Sequence, residues 1–159
     1  YPRGNALGVP LKEGFTELPI GKGEVLRQGS DVALLAVGSM VDYSLKAADL
    51  LAATGVHAEV VNMRFIKPLD AELLDDVFAR FSKVVTLEEN TIVGGFGSGV
   101  LEYAATKRYK GDIHLLGLPD SFVDHGTQTE LHQLIGIDPA GIADAVKDFC
   151  GTGVTTGVS

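Results

Sequence analysis

From residue 24 to residue 150 the chain alternates between short apolar runs and amphipathic stretches. That alternation constrains its fold more than any other feature. "DVALLAVG" (31–38) is almost continuously apolar and ends in glycine, as a strand buried on both faces should. "VDYSLKAADLLAATG" (41–55) places Val41, Leu45, Ala48 and Leu51 at helical spacing and ends at Gly55. The same rhythm predicts strands over 57–63, 83–89 and 113–119, with helices over 68–81, 97–109, 129–136 and 139–150. Asp70 is the expected N-cap of the second helix, and Asp138 precedes Pro139 at the first helical position of the last. Alternation at this spacing predicts a parallel sheet covered by helices on both faces. One further short strand, "EVLRQG" (24–29), is joined to the next by a link too short for a parallel crossover, so it should be an antiparallel edge strand. The fold class is therefore α/β: three layers, α/β/α, around a five-stranded mixed sheet, mostly parallel, with the first strand antiparallel at the edge.

The flanks read differently. Residues 1–22 hold four of the twenty glycines and three of the six prolines, and read as an extended connector. Residues 151–159, "GTGVTTGVS", carry no charge or periodicity and read as a flexible tail. The globular domain is expected over 23–150. With 45% hydrophobic and 21% charged residues the composition is ordinary for a globular protein. A formal net charge of −8 argues against nucleic-acid binding, which needs a basic footprint. No run is long and apolar enough to span a membrane, and no charged-then-apolar leader reads as a signal peptide. The single cysteine, Cys150, cannot form an internal disulfide; it ends an apolar-periodic stretch and is expected to be a small buried hydrophobe.

Several stretches raise the question of chemistry. The turn "AVGSM" (36–40) lies between strand and helix, where backbone N–H groups can bind an anion, but it lacks a phosphate-loop spacing; Ser39 is expected to be an N-cap. "VGGFGSG" (93–99) puts Gly94, Gly95 and Phe96 ahead of a helix, and is expected to be a tight turn that lets that helix pack closely on the sheet. Glu88 and Glu89 should point to opposite faces of their strand, which does not suit a paired acid and base. His57, His114, His125 and His132 are scattered, no residues have metal-ligand spacing, and His132 is expected at the surface or boundary of its helix. His125 lies with Asp124 and Gly126 in "PDSFVDHGTQ" (119–128), at the carboxyl edge of the sheet where open α/β folds bind ligands. Arg3 is aimed by Pro2 and Gly4, and a guanidinium suits bidentate recognition of phosphate or carboxylate.

"YPRGN", "PIGKGEVLRQGSDVALLAVGSMV", "VVNMRFIKPLD", "EEN…GGFGS" and "LPDSFVDHG" follow one another in an order that resembles the C-terminal part of the 1-deoxy-D-xylulose 5-phosphate synthase family, transketolase-like thiamine-diphosphate enzymes. The resemblance covers residues 1–150 and implies a detached third domain, structural and inactive by itself. It implies a parent that condenses pyruvate with glyceraldehyde 3-phosphate, using thiamine diphosphate and Mg2+ bound by upstream domains of the same polypeptide. A homodimeric parent in a bacterial cytoplasm or plastid stroma follows, with no catalytic residue, cofactor or metal expected in this segment. Arg3 matches the arginine that holds the acceptor phosphate in the family. Asp124, His125, Gly126, Gly94, Gly95 and Phe96 would form interdomain or active-site-edge loops. Two other readings compete: the matching domain of a 2-oxo acid dehydrogenase β subunit, and a free-standing small-anion-binding module using the sheet edge near Gly38, Gly95 and His125.

Overall fold

The computed structural model describes residue 14 and residues 17–120 and 127–151. Most of the expected connector, Arg3 included, and the tail beyond Gly151 lie outside these residues, as do Asp124, His125 and Gly126. Five strands are present, β1 (Glu24–Arg27), β2 (Val32–Ala36), β3 (Ala58–Asn62), β4 (Lys83–Thr91) and β5 (Asp112–Leu118). They form one sheet in the order β1-β3-β2-β4-β5. β1 runs antiparallel to β3, and the other pairs are parallel. The five helices are α1 (Met40–Ala52), α2 (Ala71–Arg80), α3 (Phe96–Lys107), α4 (Gln128–Leu134) and α5 (Pro139–Cys150). The expected mixed sheet with an antiparallel edge is the observed one.

β2 sits at the centre of the sheet, and all five of its residues are fully buried. Val32, Leu34 and Ala36 face a core shared with Ala47 and Leu51 of α1 and Ile142 and Val146 of α5. Ala33 and Leu35 face the opposite core, with Leu74 and Val77 of α2 and Phe96 and Val100 of α3. Two-sided burial explains why this strand reads as an unbroken apolar run, each buried Val or Leu side chain contributing roughly 1.5–3 kcal/mol. A charged residue shares this interior: Glu59 of β3 is wholly buried, and Arg80 of α2 grips both its carboxylate oxygens at 2.7 and 2.8 Å. Those bonds, with a second contact to Asp76, raise the Arg80 guanidinium further above its ordinary value.

β1 is joined to β2 in sequence yet pairs with β3. The link passes across the start of β3, where the Ser30 and Asp31 N–H groups donate to the His57 carbonyl. Gly29 makes that crossing feasible, since a Cβ there would strike the backbone of Ala58 and Glu59.

Candidate functional site: the carboxyl edge of the sheet

The chain leaves β2 through α1 towards β3 on one side, and leaves β4 through α3 towards β5 on the other. In an open α/β sheet the crevice between two such neighbouring strands is the usual place for a ligand. Here the positions are set by the β2–α1 turn at 37–39 and the β4–α3 loop at 92–95. The Val37 N–H donates to the Leu87 carbonyl across the gap at 3.1 Å.

The protein fills this crevice with two of its own carboxylates. Glu88 is buried, and its oxygens accept the N–H groups of Phe96 at 2.8 Å and Gly97 at 2.9 Å, the first turn of α3. A negative charge there satisfies donors that the helix leaves free and complements its dipole. Gly95 and Gly97 allow the approach. A Cβ on Gly95 would collide with the Glu88 carboxylate, and one on Gly97 would stand 2.6 Å from Thr86 Oγ1 and 2.8 Å from Leu115 Cδ2. The glycines thus bring α3 down onto the sheet, and the Phe96 side chain lies wholly inside the core. Of the loop residues singled out in sequence, Gly94 is exposed and Gly95 half-buried.

Glu89 points to the other face and joins three elements. It accepts from the Ser39 hydroxyl at the start of α1, from the Gln128 side-chain amide at the start of α4, and lies 3.3 Å from His132 Nε2. Burial pushes its carboxyl up, but the Ser39 and Gln128 hydrogen bonds and neighbouring His132 outweigh that and hold it below the usual carboxylate range. Two expectations are corrected here. Ser39 occupies the N-cap position, but its side chain makes no cap bond because it is drawn across to Glu89. His132 is not at the surface: it is 4% exposed, edge-on to the Tyr43 ring at 5.5 Å.

The remaining candidates do not converge on this edge. His57 is exposed at the start of β3, and His114 stacks on Phe149. Cys150 closes α5 half-buried, and burial pushes its thiol up, away from a reactive thiolate. Among the described residues no group of three or more His, Cys, Asp or Glu could hold a metal ion. The first turn of α3 is taken by Glu88, and Glu89 is bonded to Ser39 at the start of α1. Among the described residues no cluster fits a metal, and Glu88 closes the N-terminus of α3 to a diphosphate group. The roles of Glu59, Glu88 and Glu89 escaped sequence reasoning. The one signal was an acidic pair at the carboxyl end of a buried strand, followed by glycines opening a helix.

Residues 21–142 match the family described as transketolase, C-terminal domain. The chain is 45% identical over 154 residues, 97% of its length, to the 1-deoxy-D-xylulose-5-phosphate synthase of Chlorobium luteolum, of which it covers 24%. It is 50% identical to that of Microcystis aeruginosa over 92% of its length and 48% identical to that of Aquifex aeolicus over 93%, covering 23% of each. The chain thus spans about a quarter of the length of these relatives. Among solved structures, an inactive β4 tetramer of a split-gene transketolase matches at a TM-score of 0.79 and 34% identity, covering 86% of this chain and 45% of that one. A transketolase variant from Pichia stipitis matches at 0.62 and 21% identity over 82% of this chain and 18% of its own, a likeness of fold alone.

Proposed function

The chain belongs to the transketolase C-terminal domain family, and from that premise we propose that it serves as the C-terminal domain of a 1-deoxy-D-xylulose 5-phosphate synthase. One observation carries the reading: identity of 43–50% to such synthases extends over 92–97% of this chain. The same relatives favour it over a 2-oxo acid dehydrogenase subunit. The parent would join pyruvate to glyceraldehyde 3-phosphate with loss of carbon dioxide, as a homodimer in a bacterial cytoplasm or plastid stroma. Thiamine diphosphate would supply the electron sink for decarboxylation, held with Mg2+ by domains upstream of this one. No step through that group is assigned to the described residues, where the N-terminus of α3 carries the protein's own Glu88.

What the domain itself contributes is a folded body against which upstream domains pack. Glu88 occupies the first turn of α3 and Glu89 is bonded to Ser39 and Gln128, which agrees with a structural role and disfavours an anion-binding module at Gly95. The split-gene relative described as inactive supports a chain that is silent alone. Arg3 would orient the acceptor phosphate by charge-assisted hydrogen bonds.

The test is a graft. Replacing the C-terminal quarter of the Aquifex aeolicus synthase with this chain should preserve 1-deoxy-D-xylulose 5-phosphate formation. A soluble, folded graft without turnover would count against the reading. In an active graft, Arg3→Ala should weaken use of glyceraldehyde 3-phosphate by about 1.5–3 kcal/mol while sparing unphosphorylated glyceraldehyde. Equal losses with both aldehydes would remove the phosphate role.

A further inference from the structure

We propose that α4 is a flap that opens independently of the rest of the domain and is latched shut by Glu89. Of its seven residues, Gln128–Leu134, only His132 is buried, and Leu134 is 71% exposed. Among the described residues its polar attachments to the sheet are the Gln128 amide and His132 Nε2, and both end on the same Glu89 oxygen. A helix held to the body by two side chains on one carboxylate, with a single buried ring packed edge-on to Tyr43, has a low free energy of local opening.

Three further features suit a moving part. α4 carries its own complete capping box, with Thr127 and Glu130 satisfying each other's backbone donors, so it can leave the sheet without losing its first turn. Two residues past its end, Gly136 takes a φ of +73°, which glycine adopts without a steric penalty, before Ile137 returns to the core. In the closed state His132 Nδ1 is buried without a hydrogen-bond partner, a penalty that opening relieves by admitting water. Opening would uncover the His132 imidazole beside Glu89 and Ser39, which are exposed even with α4 in place.

Amide hydrogen exchange of this chain at neutral pH tests the latch independently of the parent's activity. In the unaltered protein the amides of Leu131, Ile135 and Ile137 should exchange at least tenfold faster than those at the centre of α5. Glu89→Ala should speed the α4 amides a further tenfold or more while β4 and α1 amides stay within about twofold. Gln128→Ala, at an exposed position, should give a smaller acceleration confined to α4, and decides the matter if Glu89→Ala fails to fold. Unchanged α4 exchange in the variant that folds, or acceleration shared equally with α1 and β4, would overturn the proposal.

Discussion

Glu88 and Glu89 are chemically identical neighbours, and the two-residue period of a strand gives them different work. One side chain enters the α3 face and becomes a fixed cap; the other enters the α1 face and becomes a shared acceptor. That they face opposite ways is legible from a strand pattern. That each meets a helix terminus is not, because it depends on how far α1, α3 and α4 lie from β4 in space. Glu59 teaches the same lesson, since a charged residue among valines reads as a surface position until Arg80 arrives from 21 residues away. For Glu88 the expected cost of substitution is concrete. Glu88→Gln keeps the shape but removes the charge and one acceptor, and should lower stability by about 1.5–3 kcal/mol in urea unfolding. A loss below about 0.5 kcal/mol, typical of surface changes, would mean that the carboxylate does not hold the helix.

At the scale of elements, the helices and parallel strands were legible because their signals are local. β2 announces itself by an apolar run, and α2 and α5 by Asp70 and Asp138 at their starts, both of which accept first-turn N–H groups as N-caps. The partner of β1 was not legible, because strand order is decided by the crossing at Gly29. His132 was misread because a seven-residue helix has too few positions for a period to reveal its buried side. Two predictions belong here. Gly97→Ala would push a methyl against Thr86 and Leu115 and should cost about 1–3 kcal/mol, measured by thermal melting. Substitution without loss would show that the α3–sheet approach can relax. The second concerns Asp70, whose carboxyl burial pushes up while the Gly23 and Leu73 N–H groups and Lys22 more than compensate, leaving it below the usual range. A carboxylate with a depressed folded-state pKa stabilises the fold above its unfolded value and loses that contribution as pH falls through the folded one. Asp70→Ala should therefore cost about 0.5–2 kcal/mol at pH 7. The gap from the unaltered protein should close as pH drops below about 4. A gap that does not depend on pH would assign the effect to shape alone.

Considered whole, the molecule is a doubly wound sheet whose expected ligand crevice is occupied by its own side chains, within a chain that matches only a quarter of its synthase relatives. The parent's chemistry is read from resemblance in the sequence, and the Glu88 cap at the crevice from the structure; neither reveals the other. Together they support the proposal that this domain serves catalysis carried out elsewhere. Calorimetric titration of this chain with thiamine diphosphate and Mg2+, followed by an assay for pyruvate decarboxylation, tests that claim most directly. The account predicts no saturable heat and no carbon dioxide release. Stoichiometric binding with turnover would contradict it, by showing a complete active site within these 159 residues.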